Sequence, residues 1–176
     1  MIFYTSDIHF CDEKIRKVCN RPFASVDSMN RAIIQNWNDK VNKADVVYIL
    51  GDIFPCNNGD AKSVIELLGE LNGNKRFIVG NHDEGFLPEI EKSRLFEEIK
   101  HITTLQDSGK EIVLCHYPMM SWQDDDNGSI HLYGHIHNKD LPEIRNYYER
   151  RKAFNVGLDV RGFAPINLNQ ILGGNK

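Results

Sequence analysis

Asp7-Ile8-His9 places a carboxylate and an imidazole two residues apart. Four further groups of the same chemical kind follow it: Gly51-Asp52, Gly80-Asn81-His82-Asp83, His116 and Gly134-His135-Ile136-His137. Carboxylate, amide oxygen and imidazole together suit a hard or borderline transition metal such as Mn, Fe, Co, Ni or Zn. In an extended chain, residues i and i+2 point the same way. Asp7 with His9, and His135 with His137, can then each reach one centre. Glycine at 51, 80 and 134 permits a sharp backbone turn just before a ligand. Asp7, His9, Asp52, Asn81, His116, His135 and His137 are enough ligands for two ions. Of the 7 histidines, only His101 and His131 lie outside these groups. A purely structural chain has no reason to distribute its histidines in that way.

The elements that must position these groups are apolar runs. Ile2 to Ser6 reads as a strand, and Val46 to Leu50 as a strand covered on both faces. Arg76 to Val79 reads as a third. Met29, Ile33, Ile34, Trp37 and Val41 recur at helical spacing, which predicts a helix over residues 27–42. Ala61, Val64, Ile65, Leu68 and Leu71 predict a second helix, closed by Asn72-Gly73-Asn74. A helical stretch is expected around Pro88–Phe96, then strands near 99–104, 111–115, 130–134 and 153–157. Each chemical group lies at or just after the end of an apolar strand. In open α/β sheets, ligands bind at the carboxyl ends of strands. The alternating first half and strand-rich second half predict a layered α/β fold, with the sheet inside and helices outside.

The 176 residues are expected to form a single domain over 1–176. Hydrophobic residues make up 41%, charged residues 26%, and the formal net charge is −4. That balance is globular, and a mildly acidic chain gives no strong nucleic-acid signal. No apolar run approaches the ~18 residues of a membrane span, and the first strand does not read as a leader. Cytoplasmic residence is expected, with Cys11, Cys19, Cys56 and Cys115 reduced.

The ordered set of Asp7-x-His9, Gly51-Asp52, Gly80-Asn81-His82-Asp83, His116 and Gly134-His135-x-His137 resembles the calcineurin-like metallophosphoesterase superfamily. Arg21-Pro22-Phe23 and Asn36-Trp37-Asn38 are similar to a subgroup of small bacterial and phage members. The resemblance implies a four-layer αββα sandwich holding two divalent transition-metal ions. It implies Asp7, His9 and His137 on one metal, Asn81, His116 and His135 on the other, and Asp52 bridging. It implies His82 as the acid that protonates the leaving oxygen, with Asp83 orienting its ring. A hydroxide between the metals would attack phosphorus in line. One position departs from the subgroup: Asp12 stands where a second histidine is common. Either it would repel phosphate, or it N-caps a short helix through Ile15 and Val18.

The expected activity is therefore hydrolysis of a phosphate ester. Two divalent ions against Asp7, Asp52 and a hydroxide leave about one positive charge, which leans towards a diester. A phosphomonoesterase and a non-catalytic metal-binding scaffold are the alternatives. Tyr117 to Trp122 reads as a loop packed on the core or as a cleft wall with a nucleotide-like substrate. Asp124-Asp125-Asp126 reads as an exposed turn, and Arg145 to Lys152 as a solvated segment. Asn155 is expected to brace the site.

Overall fold

The computed structural model describes residues 1–56, 60–148 and 150–173. The strands are β1 (Ile2–Thr5), β2 (Val46–Leu50), β3 (Asn74–Ile78), β4 (Phe96–Lys100), β5 (Ile102–Asp107), β6 (Lys110–Cys115), β7 (Ile130–Tyr133), β8 (Ala153–Asn155) and β9 (Ile166–Asn167). The helices are α1 (Glu13–Val18), α2 (Val26–Asn38), α3 (Ala61–Gly69), α4 (Leu87–Ser93), α5 (Pro142–Tyr148) and α6 (Leu168–Gly173). One sheet has the order β4-β3-β2-β1-β9, with β1 to β4 parallel and β9 antiparallel to β1. The other has the order β5-β6-β7-β8, with β6, β7 and β8 parallel.

Alternation along the strands builds the layers, because successive side chains leave opposite faces. Tyr4, Tyr48, Leu50 and Ile78 of the first sheet share a buried core with Ile112, Leu114, Ile130 and Leu132 of the second. The intervening Phe3, Val47, Ile49 and Phe77 bury instead against Met29, Ile33 and Trp37 of α2, Val64 and Leu68 of α3, and Ile90 of α4. Val113 and Tyr133, on the outer face of the second sheet, pack with Trp122 and with Tyr148 of α5. Helix, sheet, sheet and helix thus form the four expected layers. The cap of α2 is a reciprocal pair: the Ser25 hydroxyl accepts the Ser28 N–H, and the Ser28 hydroxyl accepts the Ser25 N–H.

Two local expectations change. The single strand expected at 99–104 is two strands, β4 and β5, parted at His101, where the chain crosses from one sheet to the other. The segment 145–152 is solvated at Arg145, Asn146, Arg150 and Lys152, as expected, but not at Tyr148. Its first residues belong to α5, Tyr148 is 8% exposed, and Arg151 pairs with Asp125. Glu149 lies outside the described residues. The elements β9 and α6 had no expectation, because a two-residue strand carries no readable period.

Candidate metal centre

The candidate ligands gather where the parallel strands end. Asp7 and His9 follow β1, Asp52 follows β2, Asn81 and His82 follow β3, His116 follows β6, and His135 and His137 follow β7. Backbone hydrogen bonds lock these ends together: Asp7 N–H to Gly51 O at 3.0 Å, His9 N–H to Asp52 O at 2.9 Å, and Gly134 N–H to His116 O at 2.9 Å. The Ser6 to Gly157 bridge ties the end of β1 to the segment after β8, joining the two sheets at this edge.

The ligand segments are not extended. Asp7, His9, Asp52, His135 and His137 all have positive φ, between 50° and 70°. A left-handed residue costs about 1–2 kcal/mol without glycine. Here it recurs at alternate positions, and the chain curls so that side chains converge rather than line one face. Such strain persists only where surrounding hydrogen bonds over-determine it. Gly51 has φ of +85° and makes the turn expected of it. Gly134 is needed for room: a Cβ there would overlap Ser6 Oγ and lie 2.5 Å from Asp7 Oδ2.

Ligand-capable atoms form two clusters. Asp7, His9 and His137 bring theirs within 4.8 Å of one another, and so do Asp52, His116 and His135. Asn81 joins the second cluster, with Oδ1 at 3.2 Å from His116 Nε2 and 2.9 Å from His135 Nδ1. Asp52 lies between them, its Oδ2 at 3.6 Å from His9 Nε2 and 3.3 Å from His116 Nε2. His9 Nδ1 faces Phe54 O at 3.0 Å, and His116 Nδ1 faces Leu50 O at 2.7 Å. A carbonyl can only accept, so Nδ1 carries the proton and Nε2 keeps its lone pair towards the centre.

The donor set fits a bound cation. His9 Nε2 is buried and has no hydrogen-bond partner among the described residues. Burial lowers the His9 ring to about 3, so it is neutral. Burial also raises the Asp7 carboxyl above its usual range, because the pocket supplies too little positive charge. For Asp52, burial works in the same direction, but the His116 ring, with the His82 backbone N–H, outweighs it and holds the carboxyl at about 2. Buried carboxylates gathered with imidazole nitrogens, one of them without a partner, make a site that a divalent cation completes.

His82 stands at the edge of this centre. Its backbone N–H donates to Asp52 Oδ1 at 3.0 Å, its Nε2 lies 3.6 Å from Cys56 Sγ, and its ring meets that of His9 edge-on at 5.4 Å. Asp83 does not touch the His82 ring. It is fully buried, and its carboxylate accepts four backbone N–H groups, from Gly80, Asp52, Ile53 and Phe54. What holds the ring is Cys56 and His9, a pairing no local motif announces. Asp12 faces inward too. It caps α1 at the Ile15 N–H through Oδ1 and accepts the Cys56 N–H at 2.6 Å through Oδ2, as the helix-cap reading expects.

Two residues without an assigned role reach the centre from behind. Asp159 accepts from His137 Nδ1 at 2.8 Å, and Arg21 donates to Asp159 at 2.8 and 3.0 Å. Arg21 was legible only as part of Arg21-Pro22-Phe23; nothing around Asp159 signalled it. Asn155 braces the site as expected, donating to His137 O at 2.9 Å and accepting the Gly157 N–H. Arg145, by contrast, is tied to Asp140. A cleft of about 400 Å³ opens beside His137, walled by Tyr133, Ile136, Ile144, Tyr148 and Phe154.

The chain is 38% identical over 171 residues to an uncharacterized protein of Methanocaldococcus jannaschii, covering 97% of this chain and 89% of the relative. It is 30% identical over 184 residues to the Gene 66 protein of Mycobacterium phage D29, covering 90% and 88%. A protein of unknown function from Aquifex aeolicus has a similar crystal structure, with a TM-score of 0.75, 25% identity and 97% of each chain covered. The calcineurin-like phosphoesterase family model matches residues 1–117, the span that carries every candidate ligand except His135 and His137. Those two complete the same centre from the neighbouring strand end, and the chain belongs to the calcineurin-like phosphoesterase family.

Proposed function

We propose that this protein hydrolyses phosphodiesters at a centre of two divalent ions, with Asp52 shared between the half-sites and His82 as general acid. The observation that carries the reading is the position of Asp52 Oδ2, within 3.6 Å of His9 Nε2 on one side and His116 Nε2 on the other. Asp7, His9 and His137 would hold one ion, and Asn81, His116 and His135 the other. When bound, the ions supply an activated water and draw charge from the phosphoryl oxygens. The side chains do the rest. His9 and His116 are fixed by backbone carbonyls, so their lone pairs need no reorganisation. His82, half-buried beside Asp52, reaches the mouth of the centre and can deliver a proton to the departing oxygen. Asp83 holds the two loops that carry Asp52 and His82.

The cleft beside His137 supports a diester, because it has room for a second ester group and an apolar wall to receive it. The ions are of the Mn, Fe, Co, Ni or Zn class, and the expected compartment is the cytoplasm. Among the described residues, no helix is long and apolar enough to cross a membrane.

The test is a panel of phosphate mono- and diesters, assayed with metal content measured in parallel. Wild type should hold about two ions and turn over diesters preferentially. Asp52→Asn should lose metal and activity together, and His82→Ala should lose activity alone. Turnover that survives Asp52→Asn would overturn the mechanism. A fully metallated but inert wild type would favour a scaffold.

A further inference from the structure

We propose that Arg21 and Asp159 form a buried bracket that orients His137 and so sets the metal affinity of one half-site, that of Asp7, His9 and His137. The proposal rests on the two-metal reading above.

Among the described residues, His137 is the only one of the four ligand histidines whose ring contacts a carboxylate outside the candidate ligand set at hydrogen-bond distance, Asp159 Oδ2 at 2.8 Å. Its counterparts His9 and His116 are held by backbone carbonyls. A carboxylate behind an imidazole does two things. It fixes the proton on Nδ1, which aims the Nε2 lone pair at the centre, and it makes that lone pair more basic. Here Nε2 points towards Asp7 Oδ1, 3.9 Å away.

Asp159 could not act alone. Its side chain is 1% exposed, and an unpaired carboxylate at that depth is costly. Arg21, with a side chain 0% exposed, supplies the countercharge as a two-point fork on both Asp159 oxygens. The same guanidinium donates to Asp7 O at 2.7 Å and Ile8 O at 2.8 Å, with Met29 Sδ at 3.7 Å taking its remaining N–H. One side chain therefore holds the main chain of the Asp7-Ile8-His9 segment and the carboxylate behind His137. All three ligands of that half-site are located by it. Lysine has too few donors and no fork to replace it. Among the described residues, no hydrogen bond of Arg21 or Asp159 reaches Asn81, His116 or His135.

A bracket that merely glues loops together would lower stability and leave metal affinity alone. The distinguishing measurement is calorimetric titration of metal-free protein with Mn²⁺, alongside thermal unfolding of the same metal-free samples. Wild type should bind two equivalents. Asp159→Asn, which keeps size and removes charge, should bind one equivalent about 10- to 100-fold more weakly and the other within about 2-fold. Arg21→Lys should weaken the same equivalent, and decides the matter if Asp159→Asn fails to fold. Adding His116→Ala to Asp159→Asn should weaken both equivalents, identifying the two sites as separate. Two equivalents of unchanged affinity would overturn the bracket, as would an equal loss at both. If wild type binds a single ion, the two-metal reading fails instead. Asp159→Asn then still decides the bracket by whether that ion weakens.

Discussion

The carboxylate of Asp83 accepts the backbone N–H of Asp52 at 2.6 Å, so the residue beside the candidate acid His82 builds the loop that presents the bridging ligand. Three further N–H groups, from Gly80, Ile53 and Phe54, end on the same carboxylate. Removing it strands buried donors on two ligand loops at once. Asp83→Ala should destabilise the protein by about 3 kcal/mol or more, since each buried unsatisfied donor costs ~1–3 kcal/mol. Denaturant unfolding of metal-free protein checks this. Unchanged stability with activity lost would return Asp83 to a role in the chemistry.

His82 makes the opposite prediction. Among the described residues, its ring is held closely by Cys56 and His9, so it carries little of the fold. His82→Ala should keep the wild-type unfolding temperature and metal content. Its kcat should fall by about 10²–10⁴ for an alkyl leaving group, and much less for a nitrophenol that departs unprotonated. An equal fall for both leaving groups would remove His82 from the acid role.

His131 allows a pH prediction away from the metal ligands. It is fully buried, with Nδ1 at 3.1 Å from Val113 O and the Met119 N–H donating to Nε2 at 3.3 Å. Burial lowers its ring below the ordinary histidine value. The unfolded chain therefore binds a proton first on acidification, so stability falls as pH drops through the ordinary value of ~6.5 towards the folded one. It is flat above that window. In metal-free protein, the stability difference between wild type and His131→Gln should be constant at alkaline pH and shrink as pH falls below about 6.5. A pH-independent difference would refute it.

Gly134→Ala tests close approach. The added methyl meets Ser6 Oγ and Asp7 Oδ2, next to the His135 N–H that Asp7 accepts at 3.0 Å. Displacing Asp7 should weaken metal binding at its half-site, with a modest loss of stability. Metal titration and thermal unfolding together read out both. Wild-type affinity would mean that the loop yields without moving Asp7.

Much of the fold was legible because its signal is local. The continuous run Val46 to Leu50 and the helical recurrence of Met29, Ile33 and Trp37 describe elements buried on known faces, and both elements formed. The passage through His101 from one sheet to the other was not legible, because a strand pattern does not say which sheet it joins. The same limit applies to residues 145–152. Tyr148 is buried only because Trp122 and Tyr133, distant in sequence, meet it there.

For the centre itself, the sequence by itself determined the ligand types and their places at strand ends, since D-x-H, G-D, N-H-D and H-x-H are short-range patterns. Tertiary structure decided how those ligands converge. The left-handed turns at Asp7, His9, Asp52, His135 and His137 hold because loops from separate strands hydrogen-bond to one another, which no local pattern encodes. It also decided what stands behind them. Asp83 is taken up by backbone N–H groups, and Arg21 meets Asp159 across 138 positions of chain. A buried charge must find its partner in space, and the chain separation of that partner is set by the fold alone.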